Sequence, residues 1–172
     1  TLTGLGNRRA MDKAIGRILA RGVPFSLMHL DLDFFKQVND TLGHAAGDHV
    51  LQAAARSMLE LTRKDDTVAR VGGDEFIIIC PELTSPERLA NLAQRLIDRI
   101  ERPVYYQNQR CEISTSIGIN KVVQPDGDLE TILEQADSAL YAAKRAGRAQ
   151  YRFFQQDGAL DATEKTLKAP AE

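Results

Sequence analysis

A chain of 172 residues with 43% hydrophobic and 27% charged residues has the size and composition of one globular domain, large enough to bury most of its surface without staples. Its formal charge of −2 excludes a global attraction to nucleic acid or anionic lipid, so phosphate recognition has to be local. No stretch approaches the roughly 20 apolar residues of a membrane span, which predicts no membrane contact by this segment. The two cysteines, Cys80 and Cys111, make neither a metal-ligand pattern nor a disulfide framework. Buried thiols in a reducing, cytoplasmic setting are expected.

The chain opens inside a motif at Thr1-Leu-Thr-Gly-Leu, as an excised domain would, and carries no targeting peptide. Met11, Ala14, Ile15 and Ile18 recur at helical spacing and predict a first helix, ended by Arg21-Gly-Val-Pro24. Phe25 to Leu32 follows as an apolar strand with Asp31 and Asp33 at its carboxyl end. Val50, Leu51, Ala54, Met58 and Leu61 mark a second helix. Thr67 to Val71 and Phe76 to Ile79 read as a hairpin joined at Gly72-Gly73, since two-residue hairpin turns need positive φ. Ser85-Pro86 starts a third helix through Leu89, Leu92, Ala93, Leu96, Ile97 and Ile100. A strand from Glu112 to Ile119 comes next. The last long helix carries Ile132, Leu133, Ala136, Ala139, Leu140 and Ala143, with Gly147 as its C-terminal cap, and Tyr151 to Phe154 is a short final strand.

This order predicts an α+β fold, with helices on one face of a mostly antiparallel sheet and the hairpin at its centre. The domain is expected to span residues 1–156. Residues 157–172, rich in Ala, Asp, Glu and Lys and lacking aromatics, read as a poorly ordered tail or linker.

Two constellations carry chemistry. In Arg70-Val-Gly-Gly-Asp-Glu-Phe-Ile-Ile-Ile-Cys80, the carboxylates Asp74 and Glu75 head an apolar strand, where they suit a hard cation such as Mg²⁺. Gly72 and Gly73 let a phosphate approach the backbone. The same acids would equally keep a hairpin tip soluble. The second constellation is Asp31-Leu-Asp-Phe-Phe-Lys-Gln-Val-Asn-Asp-Thr-Leu-Gly-His-Ala-Ala-Gly-Asp48. Here Asp33 shares the face of Asp31 by period two, but is read as a cap on the helical turn that follows it.

With the Gly-Gly-Asp-Glu-Phe signature, this second run resembles the GGDEF domain family, the bacterial diguanylate cyclases. Five separated motifs fall in the right order, and the resemblance extends from Leu2 to about Phe154. It implies a ferredoxin-like palm, similar to nucleotide cyclase and polymerase palms, flanked by helices. It also implies the condensation of two GTP into cyclic di-GMP and two pyrophosphates by a homodimer. The carry-over gives Asp31, Asp74 and the Leu32 carbonyl as ligands of Mg²⁺, with Mn²⁺ as a substitute. Asp74 and Glu75 both stay open for metal ligation and for accepting the proton of the attacking 3′-hydroxyl.

Asn39 and Asp48 match the guanine-binding pair, and Lys36, Lys144 and Arg148 match phosphate contacts. Ala149 stands where the family usually has Asn. Arg63-Lys-Asp-Asp66 matches the R-x-x-D site at which cyclic di-GMP inhibits its own synthesis, with Arg95 as a second arginine; a charged helix end would look the same. His44 is read as structural, and His29 and His49 receive no role. The alternative to a cyclase is a non-catalytic module of a GGDEF-EAL protein that binds GTP or cyclic di-GMP. The resemblance leaves open whether the parent protein is membrane-anchored.

Overall fold

The computed structural model describes residues 2–155; the expected tail at 157–172 lies outside the described residues. A five-stranded sheet is built from β1 (Phe25–Asp33), β2 (Thr67–Arg70), β3 (Glu75–Pro81), β6 (Ser114–Val122) and β7 (Tyr151–Phe153) in the order β2-β3-β1-β6-β7. All its pairings are antiparallel except β6 with β7. The middle strand is β1. The hairpin lies toward one edge, with β2 outermost, and not at the centre as the element order suggested. A separate two-stranded hairpin, β4 (Val104–Tyr106) and β5 (Gln109–Cys111), precedes β6 and was not anticipated.

Helices cover both faces of the sheet, which corrects the one-face expectation. On one face Met28, Leu30 and Leu32 of β1 meet α3 (His44–Leu61) and α4 (Pro86–Ile100) in a core with Phe76, Ile78, Ile117 and Ile119. On the other, Phe25 and Leu27 meet α1 (Arg8–Arg21) and α5 (Leu129–Arg145) with Met11, Ile15, Ile77 and Ile132. Alternate residues of one strand feed opposite cores, so β1 carries apolar residues on both of its faces. Helix ends follow local chemistry: Ser85 and Asp128 cap α4 and α5, Pro86 sits in the first turn of α4, and left-handed Gly22 (φ 64) closes α1. Both cysteines are buried and free. Among the described residues no helix is long and apolar enough to cross a membrane.

Candidate active site

The register of the central strands brings the two acidic motifs together. Asp31 lies opposite Glu75 on β3 and opposite Ser116 on β6. The Leu32 amide donates to the Asp74 carbonyl at 3.1 Å, extending the ladder one residue past β3. The signature loop is the four-residue link Val71–Asp74, in which the Val71 and Gly72 amides both donate to the Glu75 carbonyl, at 3.0 and 3.4 Å. Neither Gly72 nor Gly73 has positive φ, so the two-residue turn expected from the glycine pair does not form. Gly72 leaves room for the Glu75 side chain: a Cβ there would meet Glu75 Oε2 at 2.6 Å and displace it, whereas a Cβ on Gly73 would face open space. Arg70 fixes the loop, its Nε donating to the Gly72 and Gly73 carbonyls at 3.2 and 3.1 Å and its Nη2 to Gly73 at 2.8 Å.

Burial, reinforced by the charge of Asp31, pushes the Asp74 carboxyl above its ordinary range, while Lys144 pulls it back. The two acids therefore sense one another. Among the described residues no group of three or more His, Cys, Asp or Glu converges as a metal cage. Mg²⁺ ordinarily takes one or two carboxylates and completes its shell with water and substrate phosphate, so a pair of mutually repelling hard carboxylates fits that ion without a cage.

One residue beside the signature escaped the sequence reading. His29 lies two positions before Asp31 on the same strand face, with Nε2 3.2 Å from Glu75 Oε1 and Nδ1 3.6 Å from Asp137 Oδ1 on α5. The period-two relation to Asp31 was the signal that could have found it.

The end of α5 delivers the cations. Gly118 on β6 lets α5 lie against the sheet: a Cβ there would collide with the Ala136 carbonyl and the Leu140 amide. At that packing distance Lys144 Nζ reaches Asp31 Oδ2 at 2.8 Å. Arg148 follows in the left-handed region (φ 62), its guanidinium 5.9 Å from the Phe34 ring centroid and its Nε 4.0 Å from Asp33 Oδ1.

Asp33 does not cap α2 (Phe35–Leu42), whose N-cap is Phe34 without a side-chain bond. It is 3% exposed and accepts from Ser116 Oγ and the Ala149 amide. Burial pushes its carboxyl up, and those two donors pull it back.

The two residues expected to bind guanine sit on the other side of β1. Asn39 lies on α2 and Asp48, exposed, on α3, with left-handed Gly43 (φ 89) turning the chain between the helices. Asn39 fills the space a side chain at position 47 would need, because a Cβ on Gly47 would collide with Asn39 Oδ1. Gly47 thus leaves room for the Asn39 side chain, although the sequence reading gave it no role. Lys36 is exposed in the first turn of α2, with no ion pair among the described residues.

The R-x-x-D residues meet at the end of α3. Asp66 accepts from the Arg63 amide at 2.7 Å and from Arg63 Nη2 at 2.9 Å, and Arg63 Nη2 also reaches the Pro81 carbonyl at 3.0 Å. The Asp66 side chain is 1% exposed and that of Arg63 46%. Burial and the Asp66 charge push the Cys80 thiol up to about 12. Arg95 is exposed on α4, and among the described residues no hydrogen bond or ion pair joins it to Arg63 or Asp66.

A helix-flanked sheet presenting acidic residues at the end of its central strand, beside a lysine and an arginine, defines an α+β domain of the nucleotidyl-cyclase palm class. The family described as "Diguanylate cyclase, GGDEF domain" matches residues 1–150, and the chain belongs to that family. It is 37% identical to the bifunctional diguanylate cyclase/cyclic di-GMP phosphodiesterase MucR of Pseudomonas aeruginosa, over 95% of this chain and 24% of that protein. It is 32% identical to the cyclic di-GMP phosphodiesterase NbdA of the same organism, over 96% of this chain and 22% of that one. This chain therefore spans about a quarter or less of these relatives. The GGDEF domain of DgcB from Caulobacter crescentus, solved in complex with cyclic di-GMP, superposes with a TM-score of 0.82 at 32% identity, covering 87% of this chain and 91% of that one.

Proposed function

We propose that this domain is a diguanylate cyclase that condenses two GTP into cyclic di-GMP and two pyrophosphates. The observation that carries the reading is the convergence of Asp31, an Asp74 carboxyl that responds to its charge, and Lys144 Nζ 2.8 Å from Asp31 Oδ2. Asp31, Asp74 and the Leu32 carbonyl would hold Mg²⁺ or Mn²⁺, with Glu75 as a further donor. The ion would neutralise charge developing on the phosphates during transfer.

In this reading Lys144, Arg148 and Lys36 bind the β and γ phosphates, while the open side of Gly73 admits the triphosphate close to the backbone. Asp48 accepts from guanine N1–H and its amine, and the Asn39 amide adds a contact that adenine does not satisfy. Asp74 and Glu75 share metal holding and acceptance of the 3′-hydroxyl proton. Each chain binds one GTP, so two copies face each other and each 3′-hydroxyl attacks the other's α-phosphate. Cyclic di-GMP returns to Arg63, Asp66 and Arg95 as an inhibitor.

A second reading is favoured by the relatives named as phosphodiesterases: within a longer protein, the domain would bind GTP or cyclic di-GMP without turnover. One assay separates the two. Purified chain with Mg²⁺ and either GTP or ATP, followed by nucleotide chromatography, should yield cyclic di-GMP from GTP alone. The rate should rise faster than linearly with protein concentration. Strict linearity counts against the dimer, and binding without product supports the regulatory module.

A further inference from the structure

Three non-glycine residues adopt left-handed backbone around one buried carboxylate: Phe34 (φ 67), Arg148 (φ 62) and Ala149 (φ 49). L-residues with a Cβ resist this region, and they persist there only where the surroundings over-determine them. Ala149 has no polar side chain with which to stabilise its own turn. Its own amide is held by Asp33, whose Oδ2 accepts from it at 3.1 Å across 116 positions of the chain, while the Arg148 amide donates to the Ala143 carbonyl and Gln150 Nε2 to the Arg148 carbonyl, each at 3.1 Å. The same carboxylate is anchored by Ser116 Oγ, 2.9 Å from each oxygen, and Ser116 is itself fully buried. Arg148, one residue before the anchored amide, runs between Asp33 Oδ1 at 4.0 Å and the Phe34 ring at 5.9 Å.

We propose that Asp33 is the positioning residue of the Arg148 arm: its carboxylate locks the Arg148–Ala149 turn so that the guanidinium is held ready for the substrate phosphates. The assignment rests on the GTP reading above. It separates the two aspartates of β1 by task. Asp31 faces Lys144 and the signature acids, whereas the buried Asp33 oxygens accept from a hydroxyl and an amide and face the Arg148 guanidinium.

The test uses Asp33→Ala, Ala149→Gly and their combination, with two readouts. One is amide exchange in the nucleotide-free protein, and the other is affinity for a non-hydrolysable GTP analogue with Mg²⁺. In Asp33→Ala, which leaves no acceptor oxygen, the Ala149 amide should exchange at least about tenfold faster, with the β6 amide of Ile119 unchanged, and analogue affinity should fall about tenfold. Adding Ala149→Gly should restore affinity to within about threefold of wild type, because glycine occupies the left-handed region unaided. Ser116→Ala, which keeps the carboxylate and removes one donor, should move both readouts the same way by a smaller factor.

Unchanged Ala149 exchange in Asp33→Ala overturns the lock. Affinity that glycine fails to restore, with Mn²⁺ binding lost alongside, would make Asp33 a metal ligand and overturn the assignment. Exchange that accelerates equally across β6 reduces Asp33 to a general structural role and also overturns it. A wild-type protein that binds no analogue overturns the GTP reading, and the phosphate half of this proposal with it.

Discussion

Lys144 Nζ lies 2.8 Å from Asp31 Oδ2, so the cation proposed to bind phosphate rests on the carboxylate proposed to hold metal. In nucleotide-free protein the ammonium and a divalent ion compete for the same oxygen. Lys144→Met should therefore raise Mn²⁺ affinity without nucleotide, by several-fold given the partly exposed site, and lower affinity for GTP with Mg²⁺ about tenfold. Mn²⁺ electron paramagnetic resonance and nucleotide titration read the two effects. A fall in Mn²⁺ affinity would show that the lysine does not compete with the ion.

Asp74 sets function against stability. Its carboxyl is raised by burial first and by Asp31 second, so the folded chain keeps its proton to higher pH than the unfolded chain. Stability from the protonated form is fully present below the unfolded pKa and is lost as pH rises through the folded one. Near neutral pH the ionised group thus weighs against the fold. Asp74→Asn should have a Tm at pH 7 no lower than wild type, with any gain shrinking toward about pH 4, and should lose at least about 100-fold in cyclic di-GMP synthesis. A Tm well below wild type at pH 7 would contradict the assignment.

Much of this arrangement was legible in the sequence, for physical reasons. Two acidic motifs at strand ends must meet once β1 pairs with β3, and the register puts Asp31 opposite Glu75. The near-continuous apolar run in β1 also announced burial on both faces, although the element order alone suggested one. What stayed hidden was tertiary. The β4–β5 hairpin has strands too short for a period, and its turn at Gln107 and Asn108 relies on positive φ in residues other than glycine. The hydrogen bonds that Asp33 accepts from Ser116 and Ala149 join distant positions that no local pattern relates.

Two glycines make opposite predictions from similar crowding. A Cβ at position 47 meets the end of the Asn39 side chain, which can swing away, so Gly47→Ala should leave Tm nearly unchanged. It should raise the GTP KM about tenfold and blunt the preference for GTP over ATP, since Asn39 leaves its place. A Cβ at position 118 meets α5 backbone, which cannot yield locally. Gly118→Ala should cost about 1–3 kcal/mol or more, measured by urea unfolding, and pull Lys144 out of register with Asp31. If Gly47→Ala proved the more destabilising, the assigned roles would be reversed.

The R-x-x-D pair resists a simple single-mutant test. Arg63 supplies the side-chain cation to an Asp66 side chain that is 1% exposed, so Arg63→Ala removes a candidate product contact and also strands a buried carboxylate. The backbone amide of Arg63 still donates at 2.7 Å, and the guanidinium is half exposed, which puts the expected loss near the lower end of about 1–3 kcal/mol. Arg63→Ala should therefore both relieve inhibition by cyclic di-GMP and lower the urea midpoint. In Arg63→Ala with Asp66→Asn, the neutral amide removes the stranded charge, so stability should largely return while inhibition stays relieved. Steady-state synthesis with added cyclic di-GMP, alongside urea titrations of wild type and both variants, separates the two effects. Normal inhibition in a folded Arg63→Ala protein would show that the pair is only a helix-end ion pair.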